Sequence, residues 1–483
     1  MTEAQPLSYQ EGRGVLDSDI RAGLLALLGT PPEAMGPPPR QTWLMWRLCQ
    51  LAGVSPGRPE EERAALSLSW GSSVQVFHRV PEAEEGSFWA LPVLVVVLLV
   101  GFLCTDTGLL TLLLSGPAEG PPVTNIMFLK THKTASSTVL NILYRFAEGH
   151  NLTTALPAGS RFHLGYPWLF LARYVEGAQQ GSPGAPRHFN IMCNHLRFNL
   201  PEVQKVMPNN TFYFSILRNP VAQLESSFVY YKDSVPAFRG LRSLDEFLAE
   251  PQRHYDASLG LRNAYARNHM WFDLGFDNNA AAEEGYVRAR LAEVERRFQL
   301  VLIAEHFDES LVLLRRRLRW RVDDVVYFRL NARSQRTVAR LAPESPERAK
   351  RWCALDWRLY QHFNRTLWAR LRAELGPRRL RAEVAQLRAR QRELAGLCLQ
   401  DPAPENSTRI TDPELRPYQS GAADILGYNL RQGLDNATLR LCQRMVTPEI
   451  QYMARLYSLQ FPEKPPKNIP FLENKGPGAR ERP

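Results

Sequence analysis

Ten consecutive residues, Leu129-Lys-Thr-His-Lys-Thr-Ala-Ser-Ser-Thr138, hold two lysines, a histidine and five hydroxyls. The apolar run Asn125-Ile-Met-Phe-Leu129 precedes them, and Val139-Leu-Asn-Ile-Leu-Tyr-Arg-Phe146 follows with helical apolar spacing. The segment therefore reads as a loop between a strand and the N-terminus of a helix. Such a loop offers unpaired backbone N–H groups at the positive end of a helix dipole, so it suits a phosphate-like anion. Lys130 and Lys133 add charge, and Thr134, Ser136, Ser137 and Thr138 add hydroxyl donors. The plainer alternative is a basic loop whose Ser and Thr only cap the helix. A Walker A loop is excluded, because the segment contains no glycine.

A second candidate lies in Phe214-Ser-Ile-Leu-Arg-Asn-Pro-Val-Ala-Gln-Leu-Glu-Ser-Ser-Phe228. Pro220 ends an apolar strand just after Arg218, and Ser226 falls on the helix that follows. Alone, Arg-Asn-Pro is an ordinary strand-ending turn. Its order relative to the first loop gives it weight, since both lie on strand-loop-helix junctions.

These junctions require a sheet. Strands are expected at 125–129, 188–192, 211–217 and 299–304, with helices at 139–146, 221–231 and 309–318 between or after them. Alternating strands and helices imply an α/β fold with a parallel, doubly wound sheet flanked by helices. Beyond Val338 the pattern turns helical, with leucines and aromatics spaced among arginines from Arg348 to Leu397.

The first loop resembles the 5′-phosphosulfate loop of sulfotransferases that use 3′-phosphoadenosine 5′-phosphosulfate (PAPS), with Lys133-Thr-Ala-Ser-Ser-Thr138 as its core. The second resembles their 3′-phosphate site. The resemblance assigns Lys130, Thr131, Lys133, Thr134, Ala135, Ser136, Ser137, Thr138, Arg218 and Ser226 to the donor. Lys133 is then expected to balance charge on the departing phosphate oxygen. Phe128 to Thr134, Asn190 to Phe198, Glu305 to Leu313, Ile425 to Leu430 and Thr447 to Tyr452 are similar to the galactose 3-O-sulfotransferase family, over residues 123–460. That family implies galactose-terminated glycan acceptors, on glycoproteins or on galactosylceramide, and a P-loop-like sulfotransferase fold. A sugar hydroxyl must lose its proton as it attacks, and histidine is the usual base near neutrality. His132 is the expected base, with His195 assisting or orienting the galactose. The family pattern also pairs Cys398 with Cys442. A P-loop phosphotransferase is disfavoured by the missing glycines, and a non-catalytic glycan-binding protein by the presence of Lys133 and both histidines.

The remaining features concern place and partners. The chain has a formal net charge of +10, and the excess lies after residue 120. A basic region suits an anionic ligand. Residues 87–107, with Phe88 to Cys104 nearly all apolar, are expected to be an uncleaved membrane anchor. Sequons at Asn151, Asn209, Asn364, Asn406 and Asn436 all follow it. This places residues 123–460 in the secretory lumen, in type II topology, with residues 1–86 cytosolic, 108–122 a stem and 461–483 a flexible tail. The family adds the Golgi membrane. Six cysteines without paired spacing argue against a structural zinc site, so no metal is expected. Arg315-Arg-Arg-Leu-Arg-Trp-Arg321 continues an amphipathic helix, so a solvated basic face is expected there and no nucleic acid.

Overall fold

The computed structural model describes residues 120–179 and 188–467. The expected cytosolic extension 1–86 and anchor 87–107 lie outside them. Among the described residues no helix is long and apolar enough to cross a membrane.

Four parallel strands form the sheet, in the order β2 (Ile191–Met192), β1 (Ile126–Leu129), β3 (Phe212–Leu217), β4 (Leu300–Ile303). Ile126 pairs with Ile191 on one side and with Phe212 on the other, and Phe214 pairs with Leu300. All four residues of β1 and of β4 are buried. Continuous apolar runs of this kind are what a parallel sheet covered on both faces needs. The second expected strand shrinks to two residues, because Asn190 uses its side chain on Asn125 Oδ1 (2.8 Å) and its backbone on Thr153.

Chain order runs outward from β1 to β2, then returns to β3 on the opposite side. The switch point of the sheet is therefore the gap between β1 and β3, where open α/β sheets bind ligands at their carboxyl ends. Helix α1 (Ser136–Gly149) starts just after β1, and α2 (Pro220–Tyr231) just after β3. Both expected anion loops thus border one crevice. Asn219 caps α2 by accepting from Val221 N, and Pro220 occupies the first helical turn, where its missing N–H costs nothing.

A five-residue helix, α3 (His269–Asp273), comes next. It is followed by α4 (Glu284–Arg297), α5 (Phe307–Leu318), α6 (Ser345–Trp352), α7 (Ala354–Glu374), α8 (Gly376–Cys398), α9 (Asn436–Val446) and α10 (Glu449–Gln460). The Asp356 carboxylate accepts from Met270 N (3.2 Å) and Trp271 N (2.8 Å), while Asn268 Oδ1 accepts from Leu355 N (3.1 Å). Helices α3 and α7 therefore satisfy each other's orphan N-terminal amides. Cys398 and Cys442 form a disulfide between α8 and α9. Cys193 and Cys353 are buried free thiols.

Part of the arginine-rich α5 turns inward. Arg315 (2.7 Å), Arg316 (3.2 Å) and Arg379 (2.8 Å) converge on Glu383, a carboxylate buried on α8. The periodicity that made this face look solvated could not reveal an acid on another helix. Packing also continues past residue 460, where Phe461 is buried and Lys467 Nζ donates to Arg161 O (3.0 Å).

Candidate active site

The β1–α1 loop achieves without glycine what phosphate loops achieve with it. Lys133 (φ 62°) and Ala135 (φ 64°) both adopt the left-handed conformation. For residues with a Cβ this costs roughly 1–2 kcal/mol each, and such strain persists only where the surroundings impose it. The α1 terminus has no side-chain cap, so its leading amides face the crevice. The hydroxyls are otherwise engaged. Thr134 Oγ1 donates to Thr131 O (3.1 Å) and Ser136 Oγ to the same carbonyl (2.6 Å), while Thr131 Oγ1 donates to Ile216 O. Ser137 Oγ donates to Glu449 Oε2 (2.9 Å), and Thr138 Oγ1 accepts from Leu330 N (3.2 Å). These hydroxyls build the loop, leaving amides and cations to face an anion.

The cations are clustered. Half-buried Lys133 rests its ammonium 3.6 Å above the Tyr230 ring. Burial, then Lys130, Arg333 and Arg218, push its pKa down to about 7. Arg218 Nη1 donates to Lys133 O (3.1 Å), tying the second motif to the first. Ser226 is buried on α2. Arg333, which the sequence reading did not single out, pairs with Glu225 and keeps a buried Nη1 with no partner among the described residues. An unpaired buried guanidinium nitrogen is costly, so it marks a place where an anion fits.

His132 lies in the same loop. Its Nδ1 is 3.0 Å from Asp273 Oδ1, and its backbone N–H donates to Asp273 Oδ2 (2.8 Å). A carboxylate only accepts, so Nδ1 carries the proton and the Nε2 lone pair is free. The Tyr166 hydroxyl is 2.7 Å from His269 Nε2. Gln223 Nε2 donates to His132 O (3.2 Å) and faces His269 Nδ1 (3.5 Å). The ring and backbone donors of His132 thus converge on one buried carboxylate. Burial pushes Asp273 up to about 6, with His269, the His132 amide and Tyr166 opposing, and it holds His132 well below its usual value. Near neutral pH the pair is a carboxylate beside a neutral imidazole.

His195 is placed differently. Its Nδ1 donates to Lys130 O (2.9 Å), and its Nε2 accepts from Lys130 Nζ (2.7 Å). Both ring nitrogens are therefore committed to one lysine, whose ammonium also reaches Glu449 Oε2 (3.1 Å). The His195 ring stacks on His132 with centroids 3.8 Å apart and planes at 13°, and His269 covers the opposite face at 4.6 Å and 21°. His132, His269 and Asp273 are close enough to suggest a metal triad. The rings, however, are stacked nearly parallel, so their in-plane lone pairs cannot converge on one ion about 2 Å from each. The cluster fits a hydrogen-bonded relay.

The structure thus brings His132, Lys133, His195, Lys130, Arg218 and the whole Thr131–Thr138 loop to one crevice. It adds Asp273, His269, Tyr166, Gln223, Arg333 and Glu449. Only the i, i+4 spacing of His269 and Asp273 hinted at these in the sequence, and such pairs are common on helices. Of the sequon asparagines, Asn151, Asn209, Asn406 and Asn436 are exposed, whereas Asn364 is half-buried within α7.

The sequence that folds this way has counterparts among known proteins. A family model described as galactose-3-O-sulfotransferase matches residues 93–460. Galactose-3-O-sulfotransferase 2 of Sus scrofa is 76% identical over 387 residues, covering 80% of this chain and 97% of that protein. The Homo sapiens protein of the same name is 76% identical over 380 residues, covering 78% and 94%. Galactosylceramide sulfotransferase of Homo sapiens is 44% identical over 342 residues, covering 70% and 79%. With a basic strand-loop-helix turn at the sheet's switch point and a family match across nearly all of the described fold, the chain belongs to the galactose-3-O-sulfotransferase family.

Proposed function

We propose that this chain transfers a sulfonate group from PAPS to the 3-hydroxyl of a terminal β-galactose on glycoprotein oligosaccharides. The observation that carries the reading is His132, whose Asp273-oriented imidazole lies one residue from the Lys133 ammonium in the anion loop. A base for the attacking hydroxyl and a cation for the leaving phosphate are thereby held in adjacent positions on one rigid turn.

The donor's charge fits the residues present. The uncapped start of α1 with Lys133 suits the phosphosulfate end, and Arg218, Ser226 and the unpaired Arg333 Nη1 suit a second phosphate. His132 Nε2 accepts the proton of the galactose hydroxyl, and Asp273 supplies the counter-charge to the imidazolium that results. The oxygen bonds to sulfur as the sulfur–oxygen bond to phosphate breaks, and the electron pair stays on the phosphate oxygen. Lys133 balances that charge. Adenosine 3′,5′-bisphosphate and the sulfated glycan leave. His195 acts through Lys130, which it holds by both ring nitrogens. In the cell we place the enzyme in the Golgi membrane in type II topology, on the strength of the apolar segment 87–107 and the sequons beyond it.

The test uses the full chain in detergent with radiolabelled PAPS and terminal β-galactosides, followed by linkage analysis of the product. Sulfation at position 3 is expected, and Lys133→Ala should lower kcat by about a thousandfold. Absence of transfer to every terminal galactoside would refute the assignment.

A further inference from the structure

The loop Arg161–Leu169 reaches the relay from outside the two anion motifs. Its Tyr166 hydroxyl lies 2.7 Å from His269 Nε2, and its ring is 4.4 Å from that of His132. His163, on the same loop, contributes to the electrostatic environment of His132 and keeps a buried Nδ1 with no partner among the described residues. Two residues beyond Tyr166, within about 7 Å along the chain, comes Trp168. It is 61% exposed, and it is the one aromatic side chain among the exposed large hydrophobics of the described residues.

That exposure is built into the loop. Leu164 N donates to His195 O (2.8 Å), Phe170 N to Arg197 O (2.9 Å) and Trp168 N to Gly165 O (3.1 Å). Gly165 has φ +74°, and a Cβ there would lie 2.1 Å from the Tyr174 ring, so the chain is pressed against its support. Lys467 Nζ fastens the start of the loop at Arg161 O. A loop secured at both ends holds an indole in water when it could have been turned inward, which loses the burial energy that tryptophan usually contributes.

We infer that Trp168 is the stacking platform for the sugar to which the reacting galactose is linked, so that this loop reads the acceptor's penultimate residue. The inference rests on the galactoside reading above. Tyr166 sets the position of the galactose side of the site through His132, and Trp168 follows it by one sugar unit along the same loop. The apolar face of a pyranose suits an exposed indole.

The full chain in detergent, wild type and Trp168→Ala, is assayed with methyl β-galactoside and with β-galactosyl-N-acetylglucosamine. The substitution should raise the disaccharide KM about tenfold with kcat within about twofold, leave the methyl galactoside KM unchanged, and be largely rescued by Trp168→Phe. Equal effects on both acceptors, or none on the disaccharide, would overturn the inference. Saturation-transfer NMR of the disaccharide, read without turnover, should lose its contacts from the second sugar in Trp168→Ala. If the wild type sulfates neither galactoside, the enzymatic assignment fails while the NMR contacts still decide the role of Trp168.

Discussion

Replacing Asp273 with asparagine isolates the orientation of His132 from the rest of the site. The two carboxylate oxygens have different tasks, since Oδ2 accepts the His132 backbone N–H at 2.8 Å and Oδ1 lies 3.0 Å from Nδ1. Asparagine has one acceptor oxygen. If it keeps the backbone bond, its NH₂ group faces Nδ1 and must donate to it. His132 is then forced into the tautomer protonated on Nε2, and the lone pair aimed at the acceptor is lost. General-base assistance is worth roughly 10²–10⁴ in rate, so kcat should fall by that factor, about 3–5 kcal/mol of barrier. Folding should survive, because a neutral amide replaces a buried carboxylate whose pKa burial already raises. The assay pairs kcat for sulfonate transfer with calorimetric binding of adenosine 3′,5′-bisphosphate. Nucleotide affinity should stay within about twofold, since the backbone bond that fixes the loop is retained. A kcat within threefold of wild type would refute the tautomer argument, and a parallel loss of nucleotide affinity would reassign Asp273 to scaffolding.

Further outcomes follow from the same geometry. Lys133 titrates near 7 in the donor-free enzyme, so kcat/KM for the donor should fall as pH rises through about 7, whereas kcat should hold to higher pH because bound phosphosulfate favours the ammonium. Asp273, near 6, gives the opposite limb, with activity lost as pH falls through that value and the counter-charge to His132 is neutralised. A pH profile without an acidic limb between about 5 and 7 would contradict this. His195→Gln can still donate to Lys130 O and accept from Lys130 Nζ, so it should retain activity within about tenfold, while His195→Ala raises the donor KM more than it lowers kcat. Equal inactivity of the two variants would instead make His195 a base.

Much of the fold was legible because its signals are local. The strands 125–129 and 211–217, their following helices and the helical region beyond Val338 all coincide with observed elements to within a few residues. The expected strand at 188–192 was less accurate, because Asn190 donates its backbone N–H to Thr153 O and its side-chain amide to Asn125 Oδ1. The arginine run of α5 read as solvated for a similar reason, since Glu383 comes from a helix about seventy residues away.

By itself the sequence determined the basic turn and its neighbours, because a strand, a Lys- and Ser-rich turn and a helix N-terminus are contiguous and their order is a local signal. It also supplied His132 and His195 as candidates of equal chemical type. Tertiary structure decided how they differ: Asp273, brought in by α3, orients His132 and leaves its Nε2 free, while both nitrogens of His195 are taken by Lys130. It likewise decided that Arg333 and Glu449 belong to the crevice and that Trp168 stands exposed on the loop that carries Tyr166. A side chain's role as base, anchor or platform depends on partners far away in the chain, and only packing brings those partners within hydrogen-bonding distance.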